Sequence, residues 1–509
     1  MFTVSPSKAV SDIKSSDDDV LLFLNLRPTT FVRCHIIACL ALVAPKQIRN
    51  RSILSFATAI AIMDRFTSLE RLSSPHSSVP EAGAGDVQSL SLASTDEEAA
   101  LADTPLKARV SSYDGDHKSY MKGQATCRAI GSMFWREIHT GLQAPHNTLA
   151  EQTFPPSAFT GANDLSFTRV VSQMTDVYSR KWVFKLDHRE KTYARWLNRI
   201  GESFSQVTGI PVLREWRADK CNAPVLGSSP ATGPLKCKPD IILVDANFSF
   251  DPTWPLIHAF GEITKQNKFH PEMEQTVYTK SHVMFSTQES RRFVCSLALY
   301  GECDRHIRLS VIDREGVLYQ KIPFDGGFDN ASILIRIVAG FMCGSAAALG
   351  YDPTVQLKPD GSVDTITVTN PVPRTYCVVK KLHVATGIIG RCTRVWQAYD
   401  LDNPRKPVII KDAWPLVSRR DLEEKALQRL QGIPGIPVIE QIATVKLARR
   451  PGGGLHEDST TEVRQFALNP SPKNRVHRRV VMSSVGLKMI NFRCLSELIG
   501  AFRDVISGE

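Results

Sequence analysis

Across residues 187–207 the apolar side chains Tyr193, Trp196, Leu197, Ile200 and Phe204 recur at three- and four-residue intervals. That spacing predicts an amphipathic helix with one core-facing stripe about three turns long. Beyond it the pattern shortens. Apolar runs at 241–244, 256–263, 293–299, 307–312 and 317–322 are each bounded by turn residues and read as strands, with Asp313-Arg314-Glu315-Gly316 linking the last two as a hairpin. The run over 331–349 reads as a helix that closes this unit near Asp352-Pro353. After Asn370-Pro371-Val372-Pro373, strands are expected at 382–389, 393–399 and 408–411. A helix follows over 418–431, with Leu422, Ala426, Leu427 and Leu430 on one face and Gly432 past its end. Further strands near 437–447 and 479–484 and a helix from about Ser496 complete an α+β pattern. The boundaries this predicts are a mobile region at 1–112, an α+β domain at 113–355, a linker at 356–380 and a second strand-rich domain at 381–509.

Composition narrows the class without naming an activity. The 509 residues are 42% apolar and 22% charged, which excludes wholesale disorder and allows a large core. The net charge of +10 is small for this length and describes a solvated, mildly basic surface. Eleven cysteines are scattered without C-x-x-C or paired Cys/His spacing, so neither a zinc module nor a disulfide framework is expected. Reduced thiols point to a cytoplasmic or nuclear compartment. Met1-Phe2-Thr3 followed by Asp17-Asp18-Asp19 is not a secretory leader. The apolar run 331–351 is long enough to span a bilayer, but Arg336 and the Gly350-Tyr351-Asp352-Pro353 end read as a buried core helix, so no membrane association is expected. The basic tract 446–479 carries one aromatic residue, Phe466, which leaves it without a stacking platform and reads as a polar loop.

The strands around Lys411 resemble the small lobe of a protein kinase. More specifically, Ile388-Ile389-Gly390-Arg391-Cys392-Thr393-Arg394-Val395-Trp396, Ile410-Lys411-Asp412-Ala413-Trp414, Leu349-Gly350-Tyr351-Asp352-Pro353-Thr354, Ile312-Asp313-Arg314-Glu315-Gly316 and Arg478-Arg479-Val480-Val481 resemble the fungal-type protein kinase family, over about 180–509. The resemblance implies ATP with Mg²⁺ as cofactor and phosphoryl transfer to Ser/Thr-type hydroxyls of a protein whose identity the sequence does not give. It makes the turn at Gly390 the phosphate cover and Lys411 the contact to the α/β-phosphates. Glu424, with Glu423 as the alternative, would orient that lysine. Cys392 and Val395 stand where a G-x-G-x-x-G loop has glycines, which hinders backbone approach to phosphates. No H-R-D-x-x-x-x-N and no D-F-G occurs in the sequence. The chain is therefore expected to end short of the catalytic loop and to lack phosphoryl transfer by itself.

A second constellation precedes it. Lys238-Pro239-Asp240-Ile241-Ile242-Leu243-Val244-Asp245 and Gly261-Glu262-Ile263-Thr264-Lys265 resemble the PD-(D/E)XK nuclease core, in which acids at the ends of adjacent strands bind Mg²⁺. Asp240 and Glu262 are the implied metal ligands. Thr264 holds the place of the lysine, because Lys265 projects from the other face of the strand. Glu190 and Glu202 are both candidates for a third carboxylate. Three functions follow: a kinase-family protein inactive as this chain, a non-catalytic binding or regulatory module, and a metal-dependent nuclease. Nucleic acid is not the expected partner except through this first domain.

Overall fold

The computed structural model describes residues 127–500, except 140–141, 160–163, 177–180, 183–186, 188, 230–232, 302–304, 325–329, 386, 433–436, 449–453, 464–472 and 484–493. The expected mobile region at 1–112 lies outside the described residues. Those described belong to one of the chain's two compact units, 94–486 with 493–509.

Elements follow in chain order: α1 (Cys127–His139), β1 (Leu142–Pro145), α2 (Leu149–Thr153), α3 (Asp164–Met174), β2 (Thr175–Asp176), β3 (Lys181–Trp182), α4 (Glu190–Thr208), β4 (Arg214–Arg217), β5 (Val225–Ser229) and β6 (Gly233–Cys237). Next come β7 (Ile241–Asp245), β8 (Ala259–Thr264), α5 (Pro271–Thr287), β9 (Val294–Tyr300), β10 (His306–Ile312), β11 (Gly316–Pro323) and α6 (Ala331–Cys343). The second half holds β12 (Val355–Leu357), β13 (Val363–Val368), β14 (Arg374–Val384), β15 (Arg394–Asp400), β16 (Asn403–Ala413) and α7 (Leu422–Arg429). Then come β17 (Ile439–Thr444), β18 (Lys446–Ala448), β19 (Leu455–Glu457), α8 (Thr460–Val463) and β20 (Arg478–Met482), and residues 495–500 are helical, where a helix was expected from about Ser496.

Two seven-stranded sheets organise these elements. The first runs β1-β11-β10-β9-β8-β7-β4, with β1/β11 and β8/β9 parallel and the remaining pairs antiparallel. The predicted stripe of α4 packs against one face, burying Trp196, Leu197, Ile200 and Phe204 with Ile337 and Phe341 of α6. Gly209, at φ +73°, terminates α4 in the left-handed region that favours glycine. On the opposite face α1 and α5 bury Phe134, Tyr278 and Val283 against Ile242, Phe260 and Val294.

The helix expected over 331–349 is shorter than its apolar run. α6 ends at Cys343, and Ala347–Leu349 forms a separate 3₁₀ turn. Arg336 is buried, donating to the Phe154 carbonyl at 3.2 Å and lying over the Phe167 ring. Among the described residues no helix is long and apolar enough to cross a membrane.

The second sheet runs β12-β13-β14-β15-β16-β20-β17 and is antiparallel throughout. Its core gathers Ile366, Tyr376, Trp396, Val408, Ile410 and Val481. The stretch 356–380, expected as a linker, instead contributes β12, β13 and the first residues of β14 to this sheet. Prolines 371 and 373 sit in the turn between β13 and β14, where a missing N–H interrupts no ladder.

The sheets meet over a buried, polar seam. Arg394 of β15 donates to the carbonyls of Phe285 at 3.1 Å and Arg291 at 3.2 Å, and to that of Glu289, capping the C-terminal end of α5 with a cation. Trp396 donates its indole N–H to the Glu289 carboxylate at 2.5 Å, and Lys381 pairs with the same carboxylate at 2.8 Å.

Candidate functional site

Residues 408–413 of β16 are all buried, but their alternation divides them between two environments. Val408 and Ile410 enter the second sheet's core, so Lys411 projects from the opposite face. There its ammonium meets Glu423 in the first turn of α7. Lys411 is 5% exposed whereas the Glu423 side chain is 32% exposed, so the ammonium is shielded from bulk water while its partner stays partly solvated. Burial lowers the Lys411 ammonium below its usual range; Glu423 works against that shift, while Arg391 reinforces it. Burial alone would raise the Glu423 carboxyl, yet Lys411 and Arg391 together hold it below the ordinary glutamate value.

Glu423, rather than Glu424, therefore stands on Lys411. Successive helix residues point about 100° apart, so one residue of phase decides the partner. Glu424 turns toward β20 and accepts from Arg478 at 2.5 Å and from Gln428 at 3.1 Å.

The turn at Gly390 closes over the same end of the sheet. Gly390 has φ +113° and Cys392 φ +43°, so the chain reverses through two left-handed residues. Ala385 donates to the Thr393 carbonyl at 2.8 Å across its base. Its tip is seated on the first sheet. Ile388 is fully buried in the core between that sheet and α1 and α5. The Ile389 N–H donates to the Glu137 carboxylate of α1 at 2.8 Å, and the Gly390 N–H donates to the Arg314 carbonyl at 3.0 Å. Arg391 leaves the turn on its other side. Its guanidinium donates to the second oxygen of Glu423 at 3.0 Å, and its carbonyl accepts from the Trp414 N–H at 2.7 Å.

Beside Lys411, Asp412 enters a chain of charges that carries into the first sheet's surroundings. Its carboxylate accepts from Arg479 at 2.7 Å and from His477 Nε2 at 3.0 Å. His477 Nδ1 bonds Asp458 at 3.0 Å, and Asp458 pairs with Arg292 at 2.8 Å. Arg479 also reaches Asp352 at 3.0 Å. Burial disfavours a charged His477 ring, but Asp412 and Asp458 raise it to about 9, so it is a cation at neutral pH. Donor atoms of Asp352, Asp412 and His477 lie within 4.8 Å of one another, a spacing a metal ion could use. The Arg479 guanidinium already bridges the two carboxylates, so the cluster is balanced without a metal.

The acids expected at the strand ends of the first sheet are adjacent there too. Asp240 precedes β7 and accepts from the Ile263 N–H at 2.7 Å, beside Glu262 of β8. Glu262 is 6% exposed and pairs with Lys280 of α5. Burial raises the Glu262 carboxyl to about 7; Asp240 adds to the rise and Lys280 opposes it. Burial likewise raises the Asp240 carboxyl, with Glu190 adding to it. Glu202 points to solvent on α4. Sequence reasoning missed Lys280 and Arg391. The first stands sixteen residues past Thr264 on an unpredicted helix; the second, inside the predicted turn, became significant only once Glu423 was known to be its partner.

The profile of the family described as fungal protein kinase matches residues 238–509, which is 272 of 509 positions. The chain belongs to the fungal protein kinase family. In this kinase-family chain the match begins at 238, later than the expected 180, and takes in β7 through β11 of the first sheet as well as the whole second sheet. No curated protein matches the chain.

Proposed function

We propose that β14–β16, α7, β17 and β20 form the nucleotide-binding small lobe of a protein kinase, taking ATP with Mg²⁺ at Lys411. The carrying observation is the pairing of the buried Lys411 with Glu423, joining strand β16 to the helix that follows it. The strand order β14-β15-β16-β20-β17 supports the same reading: a hairpin, the lysine strand, then two strands after the helix. Lys411 grips the α/β-phosphates, Glu423 fixes its position, and Gly390 marks the turn above them. At the level of the family the reaction is transfer of the γ-phosphoryl group to a Ser/Thr-type hydroxyl. These 509 residues contain neither H-R-D-x-x-x-x-N nor D-F-G, the segments that position the acceptor and hold the metal. What the residues on this sheet supply to that reaction is the grip on the nucleotide.

The test is a thermal-shift titration with MgATP on the full chain. A nucleotide at 100 times its dissociation constant stabilises by about 2.7 kcal/mol. Wild type is expected to shift and K411M to lose most of the shift. An unmoved wild-type transition at millimolar MgATP would favour a non-catalytic binding module instead.

A second reading of the first sheet is favoured by Lys280. Asp240 and Glu262 resemble the metal-binding acids of PD-(D/E)XK nucleases, and Lys280 supplies from α5 the cation that Thr264 does not. The reading is metal-dependent phosphodiester hydrolysis, with Glu190 as the third acid. Plasmid DNA incubated with Mn²⁺ or Mg²⁺ should be nicked by wild type and left intact by E262Q. Intact plasmid with wild type at high concentration removes this reading.

A further inference from the structure

Phosphate-covering turns of the glycine-rich kind bind their anion mainly through backbone N–H groups. Two N–H groups at the tip of this turn already have partners. Ile389 donates to the Glu137 carboxylate, an anion delivered by α1, and Gly390 donates to the Arg314 carbonyl. A Cβ at Gly387 would lie 2.8 Å from that same Glu137 oxygen, so the carboxylate fills the space against the turn. With Ile388 buried in the first sheet's core, withdrawing the tip to expose these donors would uncover apolar surface.

The side chain of the next residue is placed differently. Arg391 extends toward Glu423 and shares its carboxylate with Lys411, one cation on each oxygen. Arg478 is matched by Glu424. Among the described residues, the Glu423 carboxylate thus faces two cations, Lys411 and Arg391. The Arg391 Nε is buried without a hydrogen-bond acceptor, while the side chain as a whole is 23% exposed. A guanidinium with an unmatched donor beside a buried ammonium is an arrangement suited to a polyphosphate.

We propose that Arg391 is a phosphate-binding residue of this site, replacing with its guanidinium the backbone donors that the turn has committed to Glu137 and Arg314. The ligand class is a polyphosphate, the triphosphate of ATP being the form the site would take if the nucleotide reading above holds, on which this proposal rests. Glu423 keeps Lys411 in place while Arg391 exchanges part of its contact for a phosphate oxygen. Recognition through two side-chain cations makes binding steeply dependent on phosphate number and ionic strength.

Titration calorimetry on the full chain separates the possibilities, using MgATP, AMP and inorganic tripolyphosphate with wild type, R391Q, R391K and K411M. R391Q is expected to weaken MgATP and tripolyphosphate by at least about tenfold, the scale of one charge-assisted contact, while AMP changes little and R391K recovers part of the loss. Trp fluorescence confirms that each variant is folded. If R391Q binds both polyphosphates as wild type does while K411M does not, the Arg391 assignment is overturned and the nucleotide reading survives. Should wild type bind tripolyphosphate through Arg391 but not MgATP, the anion site stands and the nucleotide reading falls. Wild type binding neither polyphosphate overturns both.

Discussion

His477 gives this protein a stability term that can be read against pH. Its ring lies between Asp412 and Asp458, 3.0 Å from each, and its pKa is raised to about 9 against 6.5 for the free side chain. A base with a raised folded-state pKa stabilises fully below the unfolded value and loses that contribution as pH climbs through the folded one. The loss therefore falls between about pH 6.5 and 9. At about 1.36 kcal/mol per unit, folding should weaken by roughly 2 kcal/mol between pH 7 and pH 9. Glu262, raised to about 7, loses its contribution from the ordinary glutamate range up to about pH 7 and adds little above it. Trp414 stacks on the His477 ring at 4.7 Å between centroids and supplies a local fluorescence reporter. Urea unfolding of wild type and H477Q, followed by Trp emission at the two pH values, is the assay. H477Q should be less stable than wild type by about 3 kcal/mol at pH 7, because two buried carboxylates lose their shared cation. It should also lose the slope. An H477Q curve that falls with pH as steeply as wild type refutes the assignment.

Further outcomes follow from particular contacts. In the MgATP thermal-shift assay E423Q should reduce the shift and E424Q should leave it, since only Glu423 meets Lys411. I388A should destabilise by about 2–4 kcal/mol, measured by urea unfolding, because this turn residue is fully buried in the first sheet's core. K280M should destabilise by about 3–5 kcal/mol by stranding Glu262, and K280M/E262Q should recover much of that loss in a double-mutant cycle; additive losses would argue that the pair is not coupled. Gly340→Ala in α6 should destabilise and lower the unfolding midpoint, as its Cβ would fall 2.2 Å from the Phe154 ring.

How much of this was legible in the sequence depended on contrast between faces. α4 announced itself because its apolar stripe opposes a charged face and Gly209 ends it. The strands β7 to β11, β15, β16, β17 and β20 were visible as short runs between turn residues, whereas β1, β4, β12 and β13 were not, and the run expected at 382–389 is strand only to Val384. α5 was not, because Thr279, Lys280, Ser281, His282 and Ser286 are buried along with its apolar residues, so polarity does not follow the helical period. Prolines 371 and 373 suggested a linker where two antiparallel strands turn. Lys411 was found through its strand, yet the choice between Glu423 and Glu424 depended on where α7 begins, within the usual error of a predicted boundary. Glu137 lies 252 residues before Ile389, and only the folded chain relates them.

Inheritance and architecture draw different borders in this molecule. The family match opens at 238, yet β1, β4 and the helices α1 to α4, all upstream, supply both edges and much of the cladding of the first sheet. A fragment cut at that border would present the underside of the sheet and the empty bed of Trp196 and Phe204 to water, and the turn at Ile388 would lose the α1 wall against which it rests. Expression trials that trim to the recognisable segment should therefore yield aggregates.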